Sequence, residues 1–252
     1  MNTRKHEFSL PIDCTPEQLW KALTEGDEIT RWFCPSAEVT PGDGGSIRWS
    51  WGEGIEAEGR IEIWEPEKRL SVRTGDQAVD YFIDSGGGGT VLRVVHSGFG
   101  EGASFDDEYE STRSGWTVFL NMLKHALERH PNQKARNVSI TRHTDVPRLE
   151  AWERIVASGE LTGLVPVPDH PPGYGGFMAP ALNDSYLAIF CEGKGKALVT
   201  VTWILYGYRR RRQRRYERGG RISWASCAQR VGPTAPSLPE AWSQASFACA
   251  FT

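Results

Sequence analysis

The sequence predicts an α+β protein whose first half is a curved antiparallel sheet closed around one long helix. Three observations predict it. Ser114 to Arg129 places Trp116, Phe119, Leu120, Leu123 and Leu127 at helical spacing, with polar residues on the opposite face. Most of the chain before it alternates apolar and polar residues in short runs, the period of half-buried strands. Loops rich in Gly, Asp and Pro separate those runs, as antiparallel hairpins require. A sheet with one apolar face and a helix with one apolar stripe must bury them on each other.

His6 to Ile12 opens the chain as a strand with Phe8, Leu10 and Ile12 on one face. Asp13 or Thr15 can then cap a helix whose first turn accepts Pro16 and whose buried stripe is Leu19, Trp20 and Leu23. Glu25-Gly26-Asp27 breaks that helix, and Ile29 to Phe33 suggests a second short one before Pro35. Strands follow. Ile47, Trp49 and Trp51 share one face, and Ile61 and Ile63 share the next, with Trp64 at its outer end. Leu70 and Val72 mark another strand, as do Val79, Tyr81 and Ile83, and then Leu92, Val94 and His96 after the Gly86–Gly89 turn. Gly98 to Asp107 reads as a polar loop. Asp106, Asp107, Glu108 and Glu110 lie before the long helix, where negative charge suits its N-terminus. Pro131 stops the helix, which bounds a first domain at residues 1–131 in the order β-α-α-β-β-β-β-β-α.

Composition narrows the class. The 252 residues suffice for one large or two modest domains, and a net charge of −3 with 24% charged residues is that of an ordinary soluble protein. No apolar run reaches the ~18 residues of a membrane helix, and MNTRKHEFSL lacks the apolar block of a signal peptide. The five cysteines form no CxxC pair, which argues against a zinc site or a disulfide framework and for a reducing cytoplasm.

Five segments carry a family resemblance: PIDCTPEQLWKALTEGDEITRWF, PGDGGSIRW, EAEGRIEIWEPEKRLSVR, GGTVLRVVHSGF and SGWTVFLNMLKHALE. In order and spacing they resemble the START-like (SRPBCC) superfamily, and within it the heat-shock-protein-90 ATPase activator homologue group, over about residues 6–129. The resemblance implies a helix-grip fold with an apolar cavity between sheet and helix. It also implies either uptake of a small hydrophobic molecule or a co-chaperone role with a chaperone or other protein partner, and a link to stress response.

Trp32, Phe33, Trp49, Trp51, Tyr81, Phe99 and Trp116 are a set that either lines such a cavity or fills a core, and the resemblance tips the reading to a cavity. Ile61, Ile63, Leu92 and Val94 from the strands, with Phe119, Leu120 and Leu123 from the helix, complete the expected lining. His96, at the end of an inward-facing pattern, reads either as a polar group that orients a ligand or acts as a base, or as a hydrogen-bonded core residue; Arg48 and Tyr81 are further orienting candidates. Cys34 reads as an inert buried thiol, and His125 and His130 as solvated surface. The chain holds no nucleophile elbow, no HExxH and no Walker-type phosphate loop, so no catalytic residue, metal or cofactor is expected. A cyclase or hydrolase of the same superfamily is the weakest of the readings.

Residues 138–207 echo the first half. Trp152 follows Asp145 by seven residues, as Trp20 follows Asp13, and Tyr186 to Trp203 repeats the strand, Gly-rich turn and strand of Tyr81 to His96. A Pro/Gly-rich loop, Leu164 to Tyr174, stands where middle strands would be. The expectation is a shortened START-like repeat over residues 132–207; an α/β extension packed on the first domain, without a cavity of its own, is the alternative. Residues 208–252 change character. Six arginines fall within Arg209–Arg215, and the segment carries +7 against −10 for the rest. It reads as a disordered tail, or as a terminus foreign to the domain, of the kind a shifted reading frame produces. The acidic body and the lack of an RNA-binding fold signature argue against nucleic acid, despite the arginine run.

Overall fold

The computed structural model describes residues 4–52, 54–86, 89–193 and 195–207. The chain divides into two compact units, Met1–Ile140 and Thr141–Thr252. The expected boundary after residue 131 therefore moves into the strand that follows the long helix.

The first unit runs β1 (Arg4–Ile12), α1 (Pro16–Thr24), α2 (Gly26–Ile29), β2 (Ser36–Thr40), β3 (Ser46–Gly52), β4 (Ile55–Glu65), β5 (Arg69–Thr74), β6 (Gln77–Gly86), β7 (Gly89–Phe99) and α3 (Asp106–Arg129). The strands form one seven-stranded antiparallel sheet in the order β1-β7-β6-β5-β4-β3-β2. Thr15 is the cap of α1. Its hydroxyl accepts from Gln18 N at 3.1 Å, and its own N–H donates to Gln18 Oε1 at 2.9 Å, a complete capping box.

Four local expectations change. The helix of Ser114–Arg129 begins at Asp106, so the acidic run occupies its first turns rather than a preceding loop. The second short helix begins at Gly26, and Trp32 and Phe33 lie in the turns after it. β2 escapes periodicity because it is a short edge strand whose outer residues are polar. Ile63 does not share a face with Ile61. The register shifts between them, so that Ile61 pairs with Val72 but Ile63 pairs with Ser71 and Trp64 with Leu70. Directly paired residues point to the same side of a sheet. The bulge thus turns Ile63 to the outer face and brings Trp64 to the helix side, where its ring meets Trp20 edge-on at 5.0 Å.

His125 and His130 are buried, at 7% and 3% exposure, not solvated. Their rings lie 5.1 Å apart. Nearby, Arg31 is itself buried, and its Nη2 donates to His130 O at 2.5 Å and Ala126 O at 3.3 Å while Nη1 binds Glu28. A guanidinium from the segment after α2 thereby covers the C-terminal carbonyls of α3.

After α3 the chain runs through β8 (Ala135–His143), within which the boundary falls, and then α4 (Arg148–Ala157), β9 (Val165–Val167), β10 (Tyr174–Ala179), β11 (Ser185–Glu192) and β12 (Leu198–Tyr206). They make a five-stranded sheet in the order β8-β12-β11-β10-β9. Ala151 and Ile155 of α4 belong to one buried cluster with Phe177, Leu187, Ile189 and Trp203. β9 and β10 supply strands where the sequence suggested only a loop; β9 is three residues long and β10 opens with Tyr-Gly-Gly, which hides its period. The readings of residues 208–252, including Arg209–Arg215, lie outside the described residues.

Candidate functional site

Phe33 is the centre of the aromatic cluster. Its N–H donates to Ile29 O at 2.9 Å, which holds the segment in a turn as it leaves α2. Its ring centroid lies 4.6 Å from Phe119, 5.0 Å from Trp32, 5.2 Å from Trp51 and 6.1 Å from Trp49. Such spacings are those of favourable tilted and edge-to-face pairs. Trp32 is buried and donates to Ala22 O at 2.8 Å; Trp51 donates to Phe33 O at 3.3 Å. Phe33, Trp49, Trp51 and Phe119 are only half-buried. Gly59 on β4 makes room for the Trp49 indole, since a Cβ there would lie 3.1 Å from it and 2.5 Å from Val72 Cγ1.

A cavity of about 10 Å³ lies beside this cluster, lined by Leu23, Ile29, Trp32, Phe33, Ile47, Trp49, Leu70, Val72 and Tyr81. That is space for about one water molecule. The lining carries no charged side chain.

A second group of rings ties α3 to the sheet. The Trp116 indole N–H can only donate, and it donates to His96 Nδ1 at 3.0 Å. The His96 proton must then sit on Nε2, which donates to Gln77 Oε1 at 2.9 Å, and Gln77 Nε2 donates to Glu108 Oε1 at 2.6 Å. The chain leaves α3 at Trp116 and returns to it at Glu108. His6 donates to Tyr109 O at 2.8 Å, and Tyr109 returns a bond to Lys5 O at 2.8 Å. His96 therefore has both ring nitrogens engaged, and it is a structural node rather than a general base.

Burial, reinforced by nearby His6, holds the His96 imidazolium down at about 4. Burial also lowers His6. Unfolded imidazoles bind protons near pH 6.5 while the folded His96 does not, so this contribution to stability is complete above about pH 6.5 and is lost as pH falls toward 4. Urea midpoints should show it. The stability gap between wild type and His96→Gln narrows from pH 7 to pH 5; a gap that widens contradicts the assigned neutral tautomer.

Of the expected lining, Trp32, Phe33, Trp49 and Tyr81 border the cavity, and Trp51 and Phe119 pack on Phe33. Ile61, Leu92, Val94, Leu120 and Leu123 are buried, but not among the cavity's lining. Phe99 and Trp116 belong to the His96 group, with Phe99 4.6 Å from the His96 ring. Ile63 is on the other face. Leu23, Ile29, Ile47, Leu70 and Val72 line the cavity unforeseen as site residues; their periodicity marked them only as core. Arg48 is exposed and pairs with Glu58 at 3.3 Å and Glu38 at 3.6 Å. The Cys34 thiol is buried, donates to Ser36 O at 3.0 Å, and is pushed up to about 12 by burial. Among the described residues no group of three or more His, Cys, Asp or Glu could hold a metal ion, and no helix is long and apolar enough to cross a membrane.

A seven-stranded antiparallel sheet with its first strand beside its last, followed by a long C-terminal helix, is the helix-grip α+β architecture of START-like proteins. Residues 13–128, within the first unit, match the family model described as Activator of Hsp90 ATPase homolog 1-like protein. Solved structures similar to this chain include the Aha1 dimer of Colwellia psychrerythraea, at 21% identity and TM-score 0.45 over 51% of this chain and 98% of that one. Protein MLL2253 of Mesorhizobium loti is 25% identical with TM-score 0.45, over 50% and 98%. CalU16 of Micromonospora echinospora is 24% identical with TM-score 0.40, over 48% and 74%. No curated protein sequence matches the chain.

Proposed function

We propose that the first unit takes up a small hydrophobic molecule between its sheet and its helices, and that the Phe33 ring yields to admit it. The observation that carries this is the position of Phe33: half-buried, ringed by four aromatic side chains, and bordering a void lined by no charged side chain. Ligand pockets generally measure about 300 Å³ or more, so the present void is a nucleus that must be enlarged. Phe33 sits between a four-residue helix and an edge strand, the kind of segment that opens at low cost. Burial of apolar area, at roughly 25 cal/mol per Å² before ordering costs, would supply the affinity. Trp32, Trp49 and Tyr81 would contact the guest first, with Trp51 and Phe119 closing over it.

Phe33→Ala tests this. Engineered apolar cavities of about 150 Å³ bind benzene-sized guests. The variant loses about 2 kcal/mol of stability, since the ring is only partly buried, and binds naphthalene at least tenfold more tightly than wild type. Calorimetric titration reads the affinity. Equal affinities in the two proteins contradict the reading.

The family description favours a second reading, in which this unit acts as a co-chaperone on a heat-shock-protein-90 homologue in a cytoplasmic stress response. Stimulation of that chaperone's ATPase by the full chain, undiminished in Trp49→Ala and Trp51→Ala, would favour it over ligand uptake. The second unit fits a shortened START-like repeat: its first strand lies beside its last, as in the first sheet, with two fewer strands.

A further inference from the structure

We propose that His170 is an acid-sensitive catch in the second unit: neutral, it closes the Pro168–Gly173 connection onto the sheet, and protonated, it releases that connection. His170 lies between β9 and β10. The residue is half-buried, but both ring nitrogens are shut off from solvent, and neither has a hydrogen-bond partner among the described residues. Gly176 of β10 makes the room. A Cβ there would collide with the Tyr186 hydroxyl and lie 2.7 Å from His170 Nε2, so the imidazole rests against bare backbone. Two bonds close the connection behind the ring: Tyr174 N–H donates to Pro171 O at 3.0 Å, and Cys191 N–H donates to Gly173 O at 2.7 Å. Pro171 and Pro172 stiffen the backbone between the ring and these bonds, so the ring leaves only with the connection.

A neutral imidazole tolerates this seat at the cost of its unmade hydrogen bonds. An imidazolium, with two N–H donors and a charge, does not. Val167 of β9, paired with Gly176, is apolar, and the titratable residues on that face of β10 and β11, namely Tyr174, Tyr186 and Glu192, do not bond the ring. Burial holds the His170 imidazole below its ordinary value, against the pull of the adjacent Asp169 carboxylate. A histidine lowered in this way stabilises the closed form fully above about pH 6.5, and the contribution is lost as pH falls. The perturbed carboxyls of the unit do not mimic it. Burial raises Glu160 and Glu192, which therefore favour the fold toward acid. Asp145, lowered by its Lys196 partner, titrates below the ordinary 3.8.

Hydrogen exchange of the full chain tests this, read at the Tyr174 and Cys191 amides and corrected for the intrinsic rate at each pH. The readout is local to the second unit, whereas His6 and His96 belong to the first. Between pH 7 and pH 5, opening at these two amides is expected to rise severalfold, up to the ~25-fold by which an imidazole of ordinary value favours the open form. The Ile189 and Val201 amides, paired in the middle of the sheet, are expected to keep their protection. His170→Phe and His170→Gln, two replacements of different shape that carry no titrating group, should both lose the response. Unchanged opening in wild type overturns the catch. The same rise in both variants assigns the response to another group and overturns the role of His170. A rise shared equally by Ile189 and Val201 is unfolding of the whole unit and overturns the local device.

Discussion

Replacing Trp116 with alanine is expected to cost about 4 kcal/mol of unfolding free energy. The side chain is buried on α3, at 7% exposure, and its ring lies 6.1 Å from Tyr81, 6.1 Å from His96 and 6.3 Å from Phe8. Removal leaves a large void in the seam between α3 and three strands. It also removes the donor to His96 Nδ1, which frees that nitrogen to accept a proton. Stability should then depend less on pH between 7 and 5. Trp116→Phe separates the two effects: it keeps most of the packing and loses the N–H, at about 1.5 kcal/mol. Urea titration of both variants measures them. A loss below 1 kcal/mol for Trp116→Ala would contradict the placement of α3 against the sheet.

Arg31→Ala is expected to cost about 3 kcal/mol. Arg31 is buried at 6% exposure and closes the negative end of α3 through the carbonyls of Ala126 and His130, while also binding Glu28. Its loss leaves helix-end carbonyls buried and a half-buried carboxylate without its cation. Arg31→Lys should recover less than half, because one ammonium cannot reproduce the fork across two carbonyls and a carboxylate. Hydrogen exchange localises the effect to the last turn of α3, alongside urea titration for its size. Full rescue by lysine, or a loss below 1 kcal/mol, would show that the guanidinium does not hold the helix end.

Much of this was legible in the sequence because it rests on local periodicity. The apolar stripe from Trp116 to Leu127 fixed the helix, and alternation fixed β3 through β7 and their inward faces. What periodicity could not express came from elsewhere. A single extra residue at Glu62 reverses the face of Ile63, and no local pattern announces a bulge. His125 and His130 read as polar surface, yet both are buried, and the Arg31 that binds the His130 carbonyl comes from nearly a hundred residues earlier. The start of α3 was hidden because Asp106 to Arg113 is exposed apart from a few half-buried residues and has little stripe to read. For the site, sequence named Trp32, Phe33, Trp49 and Tyr81, which border one void, but it had no means to say how small that void is. Nor could it tell which of His96, Arg48 and Tyr81 was already satisfied, since that depends on partners contributed by three other elements.

Methyl-selective NMR of the full chain, titrated with naphthalene, tests the central claim most directly. Saturable shifts concentrated at Leu23, Ile29, Ile47, Leu70 and Val72 are expected, because these five methyl-bearing residues border the void. Resonances that stay fixed there at saturating naphthalene, or that move only at exposed sites such as Val156 and Val165, would contradict uptake between sheet and helices.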